Sequence, residues 1–149
     1  MEQWSFLDGG ITSAKGFRAA GVEAGVKYAN RRDVALILSE VPCVAAGVFT
    51  TNRVAAAPVV HDRAKLSAAS RAQAIAVNTG CANACTGPQG LADAEAVAQA
   101  TAQALGIVLF FTAVLHAEAV LQHIGEGEGG ILFSGFQCFL ERELSLIHI

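Results

Sequence analysis

The chain has 149 residues, 53% of them apolar and 15% charged. That length supports one domain burying roughly two-thirds of its unfolded surface, and the composition excludes a disordered chain. A formal net charge of −3 and a pI near 5.7 give no reason to expect nucleic acid or an anionic membrane as partner.

The opening residues, Met1 to Asp8, contain no basic segment followed by an apolar one, so no signal peptide is predicted. The expected location is the cytoplasm, where four cysteines stay reduced. The longest apolar stretch, Ile107 to Leu121, is interrupted by His116 and Glu118 and falls short of the ~20 residues of a membrane span.

Along the chain, Phe17–Val26 reads as a strand with bends at Gly21 and Gly25. Asp33–Ser39 and Val44–Thr50 are rich in branched apolar residues, and Glu40-Val-Pro-Cys43 between them predicts two neighbouring strands joined by a turn around Pro42. Val59–Val60 is a candidate further strand and Asp62–Arg71 a short helix. Ala74–Val77 is continuously apolar, as a strand covered on both faces would be. Thr86-x-x-Gln89 fits a capping box, Asp93 and Glu95 fall in the first turns, and Gly106 stops the helix after Leu105. The face of that helix through Leu91, Ala94, Val97, Ala98, Thr101 and Leu105 is small enough to lie flat on a sheet. Strands followed by a helix packed on them predict a layered α/β fold.

Composition changes near residue 107. Residues 1–107 carry 9 Lys/Arg, 3 Phe and 26 Ala, whereas residues 108–149 carry 1, 5 and 3, with three of the four histidines. Such a shift marks a domain boundary or a change of origin. The expected division is therefore 1–107, one coherent unit, and 108–149, a divergent tail that is frameshifted, chimeric or a lineage-specific extension. The tail's apolar segment lacks clear caps, so loose packing, or an isolated helix with an irregular end, is expected there.

Between Ala74–Val77 and the helix lies Asn78-Thr-Gly-Cys-Ala-Asn-Ala-Cys-Thr-Gly-Pro-Gln-Gly90. A strand ending in such a loop and opening a helix can hold a polar ligand with free backbone N–H groups and the helix's partial positive charge. Many such loops are plain turns. Asn78, Gly80 and Asn83 are the substrate-pocket candidates; Asn78 and Asn83 can each donate and accept hydrogen bonds, equally usable for holding the loop backbone. Cys81 and Cys85 are separated by three residues rather than two, with no matched second pair, so no zinc or other metal site is expected. The cysteines read as small buried hydrophobes. Thr50, Thr51 and Thr79 read as strand-end and turn residues rather than nucleophiles. His116-x-Glu118 lacks the Pro-Cys-x-x-Cys of a deaminase. Gly125–Gly130 matches a dinucleotide pattern by letter only, because no helix follows and two glutamates would repel a pyrophosphate.

Gly10-Ile-Thr, Lys15-Gly-Phe, Ala20-Gly-Val-x-Ala-Gly-Val-Lys27, Asp33-Val-Ala-Leu-Ile, Ser39-Glu-Val-Pro42, Ala45-Ala-Gly-Val-Phe-Thr-Thr-Asn52, Ala57-Pro-Val59 and Asn78-x-Gly-x-Ala-Asn-Ala-x-Thr-Gly87 occur in that order. From about Asp8 to Ile107 this series resembles the N-terminal part of the glutamate N-acetyltransferase (ornithine acetyltransferase) family of arginine biosynthesis. The resemblance implies an N-terminal fragment of a larger self-cleaving α/β sandwich. It implies acetyl transfer from N-acetylornithine, or from acetyl-CoA in bifunctional members, to glutamate through a threonine nucleophile. It also implies a heterotetramer of two α and two β chains after self-cleavage, and no resident cofactor. The family's Ser-Thr-Gly oxyanion segment and cleavage threonine are not found in this chain, so no catalytic residue is assigned and the chain alone is expected to be inactive. A related self-cleaving aminopeptidase is the weaker alternative, because the matching motifs belong to the transferase.

Overall fold

The computed structural model describes residues 9–27, 29–81, 83–108, 112–116, 137–142 and 145–148. After one 3-10 turn (Ile11–Ser13), the elements are β1 (Phe17–Val22), β2 (Val34–Val48), α1 (Ala57–Ala69), β3 (Arg71–Asn78), α2 (Gly87–Leu105), β4 (Thr112–His116), β5 (Gln137–Arg142) and β6 (Ser145–His148).

The six strands form one sheet in the order β4-β3-β2-β5-β6, with β1 also on β2. Only β3 and β4 run parallel; the remaining pairs are antiparallel. A parallel pair needs a crossover, and α2 supplies it. Both helices pack against β4, α2 also against β3, and against each other, which makes a mixed α/β layered fold.

β2 organises the sheet. One edge meets β3; the other is shared, Val34–Ser39 with β1 and Val44–Val48 with β5. Two strands joined by a turn are expected here, but the chain continues as a single 15-residue strand. The ladder with β3 shifts register between Leu38 and Cys43. Pro42, which cannot donate to a ladder, sits inside that irregularity and bends the strand without ending it.

β1 ends at Val22, earlier than the sequence suggests. Gly25 (φ +71°) lies in the following loop, a left-handed conformation that breaks an extended run. Val59 and Val60 belong to α1, not to a strand: Pro58 at the first turn starts the helix, and tertiary packing overrides the β preference of two valines. α1 ends at Ala69, and Arg71 already belongs to β3.

The core centres on β3, whose Ala74 to Val77 are buried on both faces, as their continuous apolar run predicts. Over them lies α2, whose buried residues are Gly90, Ala94, Ala98 and Ala102. That stripe repeats every four residues and is narrower than the sequence suggests; Leu91 and Val97 are exposed by about two-fifths. In place of an isolated helix, the described residues beyond 108 are strands, consistent with the β-branched and aromatic residues around Thr112–His116. Glu118 and Gly125–Gly130 lie outside the described residues. No helix among the described residues is long and apolar enough to cross a membrane.

Candidate functional site

The Asn78 loop leaves the C-terminal end of β3 and enters α2, beside the end of the parallel strand β4. Asn78 is the register partner of His116. The crevice outside the carboxyl ends of parallel strands is where open α/β sheets hold ligands.

Left-handed residues wind the loop: Gly80 (φ +90°), Cys85 (+58°) and Gly87 (+61°). At Gly80 a side chain is doubly unwelcome, since an added Cβ would stand 2.9 Å from Cβ of Lys27. The Lys27 stem therefore lies along Gly80. The loop after β1 that carries Lys27 is fixed by Asp33: its carboxylate accepts hydrogen bonds from the Ala24 (2.6 Å) and Val26 (2.5 Å) amides. Those backbone donors, Ala24 first, outweigh burial and hold the Asp33 carboxyl below its ordinary value of 3.8. The Asp33 carbonyl accepts the Thr79 amide at 2.9 Å, joining both loops to one buried residue.

Asn83 uses its main chain for anchoring. Its carbonyl accepts from the Ala57 amide (3.3 Å) and the Thr86 hydroxyl (3.0 Å), tying the loop to the start of α1. The capping box does not form. Thr86 has helical backbone angles (φ −88°, ψ −1°) and spends its hydroxyl on Asn83, while the Gln89 amide donates to Asp93 at 2.8 Å. With α2 starting at Gly87, its first turn carries no acid, which leaves the N-terminal positive end uncompensated beside the loop.

The structure thus brings Asn78, Gly80 and Asn83 together at one end of the sheet. Lys27, Asp33 and the backbone of His116 stand beside them, and sequence reading missed all three. Lys27 and Asp33 belong to the earlier loop between β1 and β2, and the nearest sequence signal is Gly25, two residues before Lys27. Cys43 is buried against Ser39 (Sγ to Oγ 3.0 Å), but Cys81 and Cys85 are exposed, contrary to expectation, because a loop wound through left-handed turns directs them outward. No group of three or more His, Cys, Asp or Glu side chains among the described residues could hold a metal. The Thr50 hydroxyl accepts the Asn52 amide (3.1 Å) in a local turn, and Thr79 is buried.

A second polar cluster joins the helices. His61 Nδ1 is 2.8 Å from the Asp62 carboxylate, and both are buried. His61 Nε2 lies 3.2 Å from Glu95 on α2, near enough for an ion pair but off line for a hydrogen bond. Lys65 reaches the same carboxylate at 3.4 Å. Burial works against ionisation of Glu95, yet the Gln99 amide, Lys65 and His61 together leave it below its ordinary 4.5.

A sheet with one parallel crossover, two covering helices and a polar loop at the crossover's carboxyl end defines an α/β domain of the layered class. The ArgJ family model matches residues 18–120, and the chain belongs to the ArgJ family. It is 52% identical over 106 residues to the arginine biosynthesis bifunctional protein ArgJ of Thermosynechococcus vestitus, a match covering 71% of this chain and 25% of the relative. The Synechocystis protein of the same name is 44% identical over 132 residues, 85% of this chain and 32% of the relative. The chain thus spans about a quarter to a third of the curated relatives it matches. Among solved structures, ornithine acetyltransferase from Mycobacterium tuberculosis, complexed with ornithine, aligns with a TM-score of 0.70 and 43% identity over 76% of this chain and 62% of that one. The arginine biosynthesis bifunctional protein of Bacillus halodurans aligns with a TM-score of 0.72 and 27% identity, over 95% of this chain and 87% of that one.

Proposed function

We propose that this chain is the N-terminal part of a bifunctional acetyltransferase of arginine biosynthesis. The whole protein moves acetyl from N-acetylornithine, or from acetyl-CoA, to glutamate through a threonine nucleophile. The observation that carries the reading is a family match of 103 residues that includes the whole β3–loop–α2 unit. Asn78, Gly80 and Asn83 shape one wall of the substrate pocket. Gly80 keeps the loop close to Lys27, and the amide side chains of Asn78 and Asn83 meet the polar groups of the amino-acid substrate.

The nucleophile and the oxyanion donors come from the remainder of the family protein, which acts in the cytoplasm after self-cleavage into two α and two β chains. Losing an oxyanion donor alone costs ~10²–10³ in rate; without nucleophile or donors, the 149 residues are a catalytically inactive fragment. The divergent stretch, residues 108–149, begins at the composition shift after residue 107.

The test is a hybrid in which residues 18–107 replace the matching segment of the Thermosynechococcus protein. The hybrid should transfer acetyl from N-acetylornithine to glutamate, and Asn83→Ala within it should raise KM. A folded hybrid with no transfer would overturn the proposal. So would turnover by the 149-residue chain alone above a heat-killed control.

A further inference from the structure

At the other end of β2 lies a cleft of about 630 Å³ between that strand, α1 and the segment joining them. Asn78 pairs with Val34, the first residue of β2, whereas the cleft adjoins residues 45–48. Opposite β2, β3 covers Val34 to Val44 in the eight residues from Asn78 to Arg71, and a strand rises about 3.3 Å per residue, so the two places are on the order of 25 Å apart across the sheet. The cleft is therefore separate from the loop of Asn78, Gly80 and Asn83.

Its floor is apolar and needs a glycine. A Cβ on Gly47 would stand 3.0 Å from both Leu66 Cδ1 and the Phe49 ring, so any side chain there would begin to fill the space. One wall is the segment after β2, which is tied to itself: Thr50 Oγ1 accepts the Asn52 amide, and Asn52 Oδ1 accepts the Val54 amide at 2.9 Å. The other wall is α1, with Arg63 and Ser67 on the cleft.

Arg63 bridges the walls. It donates one hydrogen bond to the Thr50 carbonyl at 2.7 Å and lies 5.4 Å from the centre of the Phe49 ring. These contacts fix the guanidinium in place without neutralising it. Among the residues up to 108 whose side chains are described, no carboxylate lines the cleft and none pairs with Arg63. A guanidinium has five N–H donors in a planar fork, so donors remain for a ligand. A preorganised cation, an apolar floor and the hydroxyls of Thr51 and Ser67 fit an anionic head on a short organic body. The volume lies in the range of small-molecule sites and exceeds the needs of a bare ion.

We propose that this cleft binds a small organic carboxylate, with Arg63 as the counter-charge and the Thr51 and Ser67 hydroxyls meeting polar groups on the ligand's body. The probe is N-acetylglycine, titrated into the isotopically labelled 149-residue chain at constant ionic strength and followed by amide and Arg Nε chemical shifts. Saturable shifts are expected at Arg63 and at Thr50–Asn52, with Kd of about 1–5 mM, the range open to one charge-assisted contact. N-acetylglycinamide, which lacks the charge, should produce none.

Arg63→Gln should weaken binding at least about tenfold, the loss expected for a hydrogen bond to a charged group. Ser67→Phe, on the exposed face of α1, should block the cleft while leaving the Ala74–Val77 amides unmoved. The proposal falls if the wild-type chain shows no saturable shift up to about 50 mM, a concentration tenfold above the weakest expected Kd. It falls too if the neutral amide or inorganic phosphate binds as well as the carboxylate, or if a folded Arg63→Gln chain binds unchanged.

Discussion

The two helices cover one sheet by opposite means. α2 buries only Gly90 and three alanines, so it approaches β3 and β4 by being thin. α1 buries Ala57 and Pro58 but also His61 and Asp62, and it meets α2 through a shared set of charges with Glu95 and Lys65. One contact depends on volume and ignores pH; the other depends on hydrogen bonding and charge and tolerates volume changes on its outer face.

The contrast breaks most sharply at Ala98, fully buried in the α2 stripe. Ala98→Leu should cost about 3 kcal/mol, the upper end of ordinary overpacking, measured by urea unfolding. Ala64→Leu, on the exposed side of α1, should change stability by less than about 0.5 kcal/mol. Equal effects would show that α1 is as tightly fitted as α2.

Next comes His61→Ala, which deprives buried Asp62 of its 2.8 Å partner; about 2 kcal/mol is expected for a buried acceptor losing one bond. His61→Gln should recover part of it. Gly106→Ala tests the end of α2, where Gly106 holds φ +64° and donates to the Gln103 carbonyl. A residue with a Cβ there should cost about 1 kcal/mol.

Smallest is Glu95, whose side chain is 36% exposed and therefore screened by solvent. Glu95→Gln should cost no more than about 0.5 kcal/mol at neutral pH. Its folded pKa is depressed, so its contribution is complete above the ordinary 4.5 and is lost as pH falls through the lowered value. Unfolding curves of wild type and variant should converge in that acidic window. Asp33 follows the same sign from its ordinary 3.8, and Asp33→Asn should flatten the acid limb further. Divergence of the Glu95 curves on acidification would mean that Glu95 is held protonated.

Much of this architecture was legible in the residues. Ala74–Val77 announced a strand covered on both faces, Gly106 announced the end of α2, and the ordered series from Gly10 to Gly87 announced the family. Errors came where local signals compete with partners far along the chain. Pro42 marks a turn by rule, yet β3 pairs with β2 on both sides of the irregularity and β5 with its second half, so the strand bends and continues. Thr86 and Gln89 have the letters of a capping box, but Asn83 takes the hydroxyl. The candidate loop was visible; its supports Lys27 and Asp33 were not, because nothing in their own neighbourhood points to a loop some fifty residues later.

The divided edge of β2 sets an order of events during synthesis. Val34–Ser39 meet β1 across a short hairpin, whereas Val44–Val48 wait for Gln137–Glu141, roughly ninety residues later. At translation rates of about 5–20 residues per second, that half of the strand stands open for several seconds, an unpaired template for any other extended segment. Closing so long a loop is also slow relative to hairpin formation. Pulse-labelled exchange during refolding should therefore find the amides of Val34–Ser39 protected well before those of Val44–Val48, and nascent chains caught in that interval should be the ones prone to strand exchange between copies.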